Sequence, residues 1–179
     1  MPWIMMDVEA DGPAPGLFSM ISFEAILVAP PNRIHGANDE YRGFLGHLKP
    51  ISEDFVPEAL AVSGVTREQT LTYMEPGLTM THFDQWLKTV CAGKRPMFIA
   101  DNNGFDWQFI NYYFWKFLGR NPFGHSSTNL GSLYKGMVKD TFKNFKHLRK
   151  TKHTHNPLDD SRGNVEAFLH MLHEMGLKG

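Results

Sequence analysis

The stretch WIMMDVEADG, residues 3–12, decides how the rest of the chain is read. Trp3 to Val8 is a short apolar run ending in acids, the pattern of a buried strand whose last residues reach a polar edge. Side chains alternate across a strand, so Asp7 and Glu9 project to the same side, roughly 6–7 Å apart along the chain. Two like charges so placed cost stability unless a cation neutralises them, and the pair can hold a divalent ion. Taken alone, an Asp-x-Glu pair at a strand end reads first as two acids facing water.

The neighbouring segments supply partners for that strand. Phe18 to Val28 is rich in β-formers and interrupted once, by Glu24, and Gly12 and Gly16 lie between it and the first run, so the two are expected to pair. Tyr41 to Leu48 reads as a third strand. Phe83, Trp86, Leu87 and Val90 keep helical spacing from Thr81, with Thr81 and Asp84 placed as a cap pair and Gly93 as the stop. Met97 to Ala100 is a four-residue apolar strand. Trp107 to Leu118 is an aromatic-rich helix closed by Gly119 and Pro122, and a last helix starts near Asp160. Residues 120–140 are the hardest to read, with a fifth strand placed at Ser126 to Leu130. Strands first, then strands alternating with helices, predict an α/β fold with helices on a mixed sheet.

Composition bounds the function. With 179 residues, 42% apolar, one globular domain over 1–179 is expected. No apolar run approaches the ~18–20 residues that cross a bilayer. The first residues lack a secretory pattern, and Cys91 is the single cysteine, so no cysteine-rich zinc cage is available and a cytoplasmic setting is expected. The net charge of −1 excludes wholesale electrostatic capture of nucleic acid. It is unevenly spread, however: Thr141 to Leu158 carries five Lys or Arg, three His and no acid, which leaves −6 for the remainder.

Further acids sit where open α/β sheets place their sites. Asp106 follows Phe105 just after the apolar strand Met97 to Ala100, and a strand end followed by a loop and an acid is such a position. Taken singly, Asp106 reads as a helix N-terminal acid, Asp159 and Asp160 as caps, and His155 as a surface histidine. Four independent coincidences are less probable than one site, so together they are expected to form one.

The order Asp7-x-Glu9, then Phe105-Asp106, then His155 with four residues before Asp160 resembles the DEDDh family of 3'-to-5' exonucleases, on the ribonuclease H-like fold. DVEADGP looks like the family's first motif, NNGFDWQF its second and HNPLDDS its third, while SGVTREQ, Ser63 to Gln69, is similar to the Gly-Ile-Thr segment these enzymes often carry. DVEADGPAPGLFSMISF looks most like the ribonuclease T-like branch, whose members trim RNA ends. The chain departs from the family at Asp101-Asn102-Asn103, where many relatives have His-Asn-Ala, and at Pro157.

The resemblance implies a mixed five-stranded sheet flanked by helices and hydrolysis from the 3' end of single-stranded RNA or DNA, RNA ahead of DNA. It implies two divalent ions, Mg or Mn, with Asp7 bridging them, Glu9 and Asp160 holding the one that activates water, and Asp106 supporting the other. His155 is the implied general base, its ordinary pKa of ~6.5 lying near working pH. Substrate contacts are expected from Ala10 and Asp11 through the backbone, from Asn103 and Trp107, and from the basic stretch with Lys146, Arg149, Lys150 and Lys152. Most other aromatics of that helix belong to the core or to a partner subunit, and ribonuclease T-like relatives suggest a homodimer. The alternatives are an RNA-binding module that no longer cleaves and a hydrolase restricted to short oligonucleotides.

Overall fold

β1, Trp3–Ala10, is the strand around which the sheet is ordered, β2 (Met20–Val28) lying on one side of it and β4 (Met97–Ala100) on the other. A computed structural model describes residues 1–28, 43–151 and 157–177, the first four of the last segment by their backbone alone. β1 and β2 pair antiparallel through the turn that follows Ala10, with Asp7 opposite Glu24 and a register shift between Glu9 and Ala10. β3 (Gly43–His47) continues the antiparallel ladder beyond β2, whereas β4 and β5 (Ser127–Asn129) run parallel to β1. The sheet order is β3-β2-β1-β4-β5, a mixed five-stranded sheet flanked by helices.

Alternation along β1 sorts the helices into two layers. Ile4, Met6, Val8 and Ala10 join a core with Phe83 of α3 (Pro76–Val90) and Phe109, Ile110, Tyr113 and Phe114 of α4 (Asn103–Leu118). Met5 joins Ile26 and Ile99 in a second core under α5 (Leu130–Val138) and α6 (Pro157–His173). Asp7 and Glu9 share the alternation of Met5, so they lie on the α6 side where the strand runs out of apolar cover. A polar tie pins the opposite layer: the buried Tyr113 hydroxyl accepts from Met20 N at 2.8 Å.

Several expectations are corrected. The helix expected from Thr81 starts at Pro76, because proline presets the helical φ at the first position. Thr81 instead donates its hydroxyl to Gly77 O, and Asp84 is a mid-helix acid paired with Arg120 and Lys88. α4 begins four residues before Trp107. Two short helices, α1 (Pro57–Ser63) and α2 (Arg67–Thr70), and the nine-residue α5 were not anticipated. Tyr41 and Arg42, the first residues expected in β3, lie outside the described residues.

Candidate active site

Parallel pairing brings the carboxyl ends of β1 and β4 to one edge of the sheet, and α4 opens directly after β4. Asp106, in the first turn of α4, is 2% exposed, and its Oδ1 accepts from Val8 N at 3.0 Å. That bond ties the helix to the strand at the residue between Asp7 and Glu9. Asp106 Oδ2 is buried with no hydrogen-bond partner. Burial pushes the Asp106 carboxyl well above the usual carboxylate range; Asp7, Asp101 and Glu9 push the same way, and the Val8 N–H alone opposes them. Four carboxylates are therefore gathered here, and among the described residues no cation is bonded to Asp106.

Glu9 is held by a neighbour, Oε2 accepting from Ser63 Oγ at 2.8 Å at the end of α1. Ser63 was read only as part of a motif, and its side chain is the part that reaches the site. Glu24 is a second addition: it is 2% exposed, and its register opposite Asp7 puts it on the same face of the sheet. Asp160 lies in the first turn of α6, a helix packed on β1 and β2. His155 and Lys152 lie outside the described residues. Among the described residues no three His, Cys, Asp or Glu side chains converge closely enough to hold an ion.

The chain is 33% identical over 175 residues to the 3'-5' DNA exonuclease Cap18 of Escherichia coli, an alignment covering 93% of this chain and 89% of that protein. The chain belongs to the DEDDh family of 3'-5' exonucleases. No protein-family profile matches it. Among solved structures, the nuclease domain of the DEDDh member 3'hExo, bound to rAMP, superposes with a TM-score of 0.72 at 18% identity, covering 97% of this chain and 92% of that one. A zinc-bound complex of E. coli ExoI with single-stranded DNA superposes with a TM-score of 0.69 at 16% identity, covering 96% of this chain and 40% of that one. These two likenesses are of fold.

The other residues expected to meet substrate in this DEDDh chain have contacts within the fold. Ala10 is buried in the ladder opposite Met20. Asp11 is fully buried: its Oδ1 accepts from Ser19 N, its Oδ2 from Arg67 Nη1 at 2.7 Å, and its backbone N–H and carbonyl bond to Ser19 and Val56. Burial raises the Asp11 carboxyl too, but Ser19 and Arg67 hold the rise back. Asn103 donates to Ser127 Oγ at 2.9 Å and keeps a buried Oδ1 without a partner. Trp107 packs edge-on against Phe98, centroids 5.0 Å apart, on the side of α4 that faces the 120–125 loop.

Arg149 is corrected from phosphate contact to framework. Its side chain is 8% exposed, and Nη2 reaches Asp101 Oδ2 at 3.0 Å and Asn164 Oδ1 at 2.6 Å while the guanidinium lies over Phe145. The departure at Asp101 thereby acquires a partner. Glu166 accepts from Lys150 N, Thr151 N and Thr151 Oγ1, and Gly163 leaves room on α6 for Arg149 and Thr151 to lie against the helix. The chain on both sides of residues 152–156 is thus fixed to α6.

Proposed function

We propose that this chain removes nucleotides from the 3' end of single-stranded DNA by metal-dependent hydrolysis. The observation that carries the reading is Asp106: a carboxylate with an orphaned oxygen, raised in pKa by burial first and by three other acids besides, is a group that a bound cation would relieve. Sequence alone placed RNA ahead of DNA; a relative with a third of its residues in common over nearly the whole chain is a DNA exonuclease, and that moves the proposal to DNA.

Asp7, Glu9, Asp106 and Asp160 are an all-oxygen donor set suited to Mg or Mn. When bound, two such ions supply a nucleophile at neutral pH and offset charge on the attacking and leaving oxygens. The chain's own residues do the rest. Val8 N fixes the rotamer of Asp106, and Ser63 fixes that of Glu9, so both carboxylates are oriented before anything binds. His155 accepts the proton of the attacking water.

The test is a 5'-labelled single strand of DNA and its RNA counterpart incubated with the protein in magnesium, manganese and EDTA, with Asp7→Ala as control. A metal-dependent ladder shortening from the 3' end, faster on DNA and absent in Asp7→Ala, is expected. A faster RNA ladder would return the substrate to RNA. No cleavage of either by the folded protein would overturn the reading and leave a binding module.

A further inference from the structure

Outside the acidic crevice, the outer face of α4 carries a cavity of ≈ 400 Å³ between the helix and the 120–125 loop. Trp107, Asn111 and Trp115 follow one another at four-residue intervals, so they line one face of the helix a turn apart. The opposite wall is Asn121, Gly124 and His125. That wall is rigidly set. Gly119 closes α4 with a positive φ of 66°, and Arg95 donates from Nε and Nη2 to Phe123 O. The same guanidinium fills the space where a Cβ on Gly124 would lie, at a φ of +82° that itself favours glycine.

The polar atoms of the cavity are equally fixed. Asn121 Oδ1 accepts from Phe123 N at 3.0 Å, which forces its Nδ2 toward Asn111, where it donates to Oδ1 at 2.9 Å. The orientation of one amide is thus imposed by the backbone and passed to the next. Asn111 keeps Nδ2 as a donor that no other described residue takes up. Trp115 is 58% exposed, a large indole with nothing stacked on it among the described residues. A cavity framed by two indoles, with an amide donor and an imidazole between them, matches a planar ring whose edge carries acceptors.

We propose that this cavity binds a nucleobase, that of a nucleotide upstream in the substrate strand or of a free mononucleotide, an inference that rests on the nuclease reading above. Every base has a π-face for an indole and acceptor atoms on its edge, so such a site holds any sequence. An enzyme that shortens a strand step by step needs that tolerance. Trp107 is turned about 100° round the helix from Asp106, and Trp115 lies nine residues beyond that acid, about 14 Å along the helix axis at 1.5 Å per residue, within reach of a strand whose 3' end lies in the crevice.

The test measures binding in EDTA, where no strand is cut. A fluorescent 12-mer of single-stranded DNA, copies of it with one abasic position moved along the strand, and free dAMP are titrated against the wild type, Trp115→Ala and Trp115→Phe. We expect Trp115→Ala to weaken the 12-mer roughly 5- to 100-fold, with Trp115→Phe recovering most of the loss. An abasic gap at one upstream position should weaken the wild type comparably and add nothing in Trp115→Ala, which identifies a strand base. Binding of dAMP lost in Trp115→Ala, with no position-dependent abasic effect, identifies a free nucleotide instead and still supports the site. Unchanged affinity for both probes in Trp115→Ala overturns it, as does a variant altered only in its monomer–dimer equilibrium, which would make Trp115 a contact between copies. Loss of the cleavage ladder with these binding effects intact would sink the nuclease reading alone.

Discussion

The turn after β1 and the crevice between β1 and α4 each bury a carboxylate at the same end of the sheet, and they treat it in opposite ways. Asp11 is enclosed with Arg67 and the Ser19 N–H, every oxygen engaged. Asp106 is enclosed with Asp7, Glu9 and Asp101, one oxygen engaged and one not. Burial opposes ionisation in both, but among the described residues only Asp11 is bonded to a cation. Burial of an acid therefore says little about its role. The sign of what surrounds it says much more, and it separates a framework pair from a site that calls for a cation.

The sharpest way to break this contrast is Asp106→Asn. It keeps an oxygen for Val8 N and removes the charge, so cleavage should be lost while the metal-free protein melts at a higher temperature. The sign follows from the raised pKa. The folded state holds the Asp106 proton more tightly than the unfolded chain, so metal-free stability is greatest at or below the ordinary carboxylate range and falls as pH rises through the raised value. Added magnesium should restore the wild type at neutral pH and leave Asp106→Asn little changed, which thermal melting against pH reads directly. Asp11, also raised, accounts for a slope that persists in the variant. A variant that melts lower than the wild type without metal would contradict an Asp106 charge that the fold opposes.

Next in size is His155→Ala, expected to slow cleavage by roughly 10²–10⁴-fold while the magnesium-induced shift in melting temperature stays the same. A normal rate would remove His155 from the chemistry. Asp11→Ala should do the reverse of both. Leaving Arg67 without its partner costs about 3–5 kcal/mol, seen as a lower urea midpoint, with activity per folded molecule preserved. The same contrast separates two adjacent residues of the basic stretch, since Arg149 is spent on Asp101 and Asn164 whereas Lys150 is exposed. Replacing Lys150 and Lys152 should weaken strands of every sequence alike and flatten the salt dependence by about 0.7 per lysine; Arg149→Ala should show instead as lost stability.

The acids of β1 were legible because alternation places them without any knowledge of partners, and Asp106 because a strand end fixes where a helix must begin. Glu24 was not, since it matters only through the β1–β2 register, which a single strand does not reveal. Arg149 and Lys150 look alike in sequence; what divides them is the acid at Asp101, distant in the chain and brought near by β4. α2 did carry a local signal in Thr66 and Gln69, which form a complete capping box. The helix through Phe83 and Val90 was legible, but its start at Thr81 was not, since Asp84 answers Arg120, 36 positions away, rather than a helix end. Trp107 was drawn toward the site by its neighbour Asp106, but one step along a helix turns a side chain by about 100°.

Glu166 of α6 accepts from Lys150 N and Thr151 N, and Pro157 opens the same helix, so the described chain on either side of residues 152–156 is anchored to α6. Both anchors thus belong to one helix. Changes of chain length between them carry a closure cost that grows by only about 0.6 kcal/mol per doubling, and they leave the strand register and the acids of β1 where they are. Grafting segments of other lengths between Thr151 and Pro157 is therefore a route to varying this part of the chain without rebuilding its sheet.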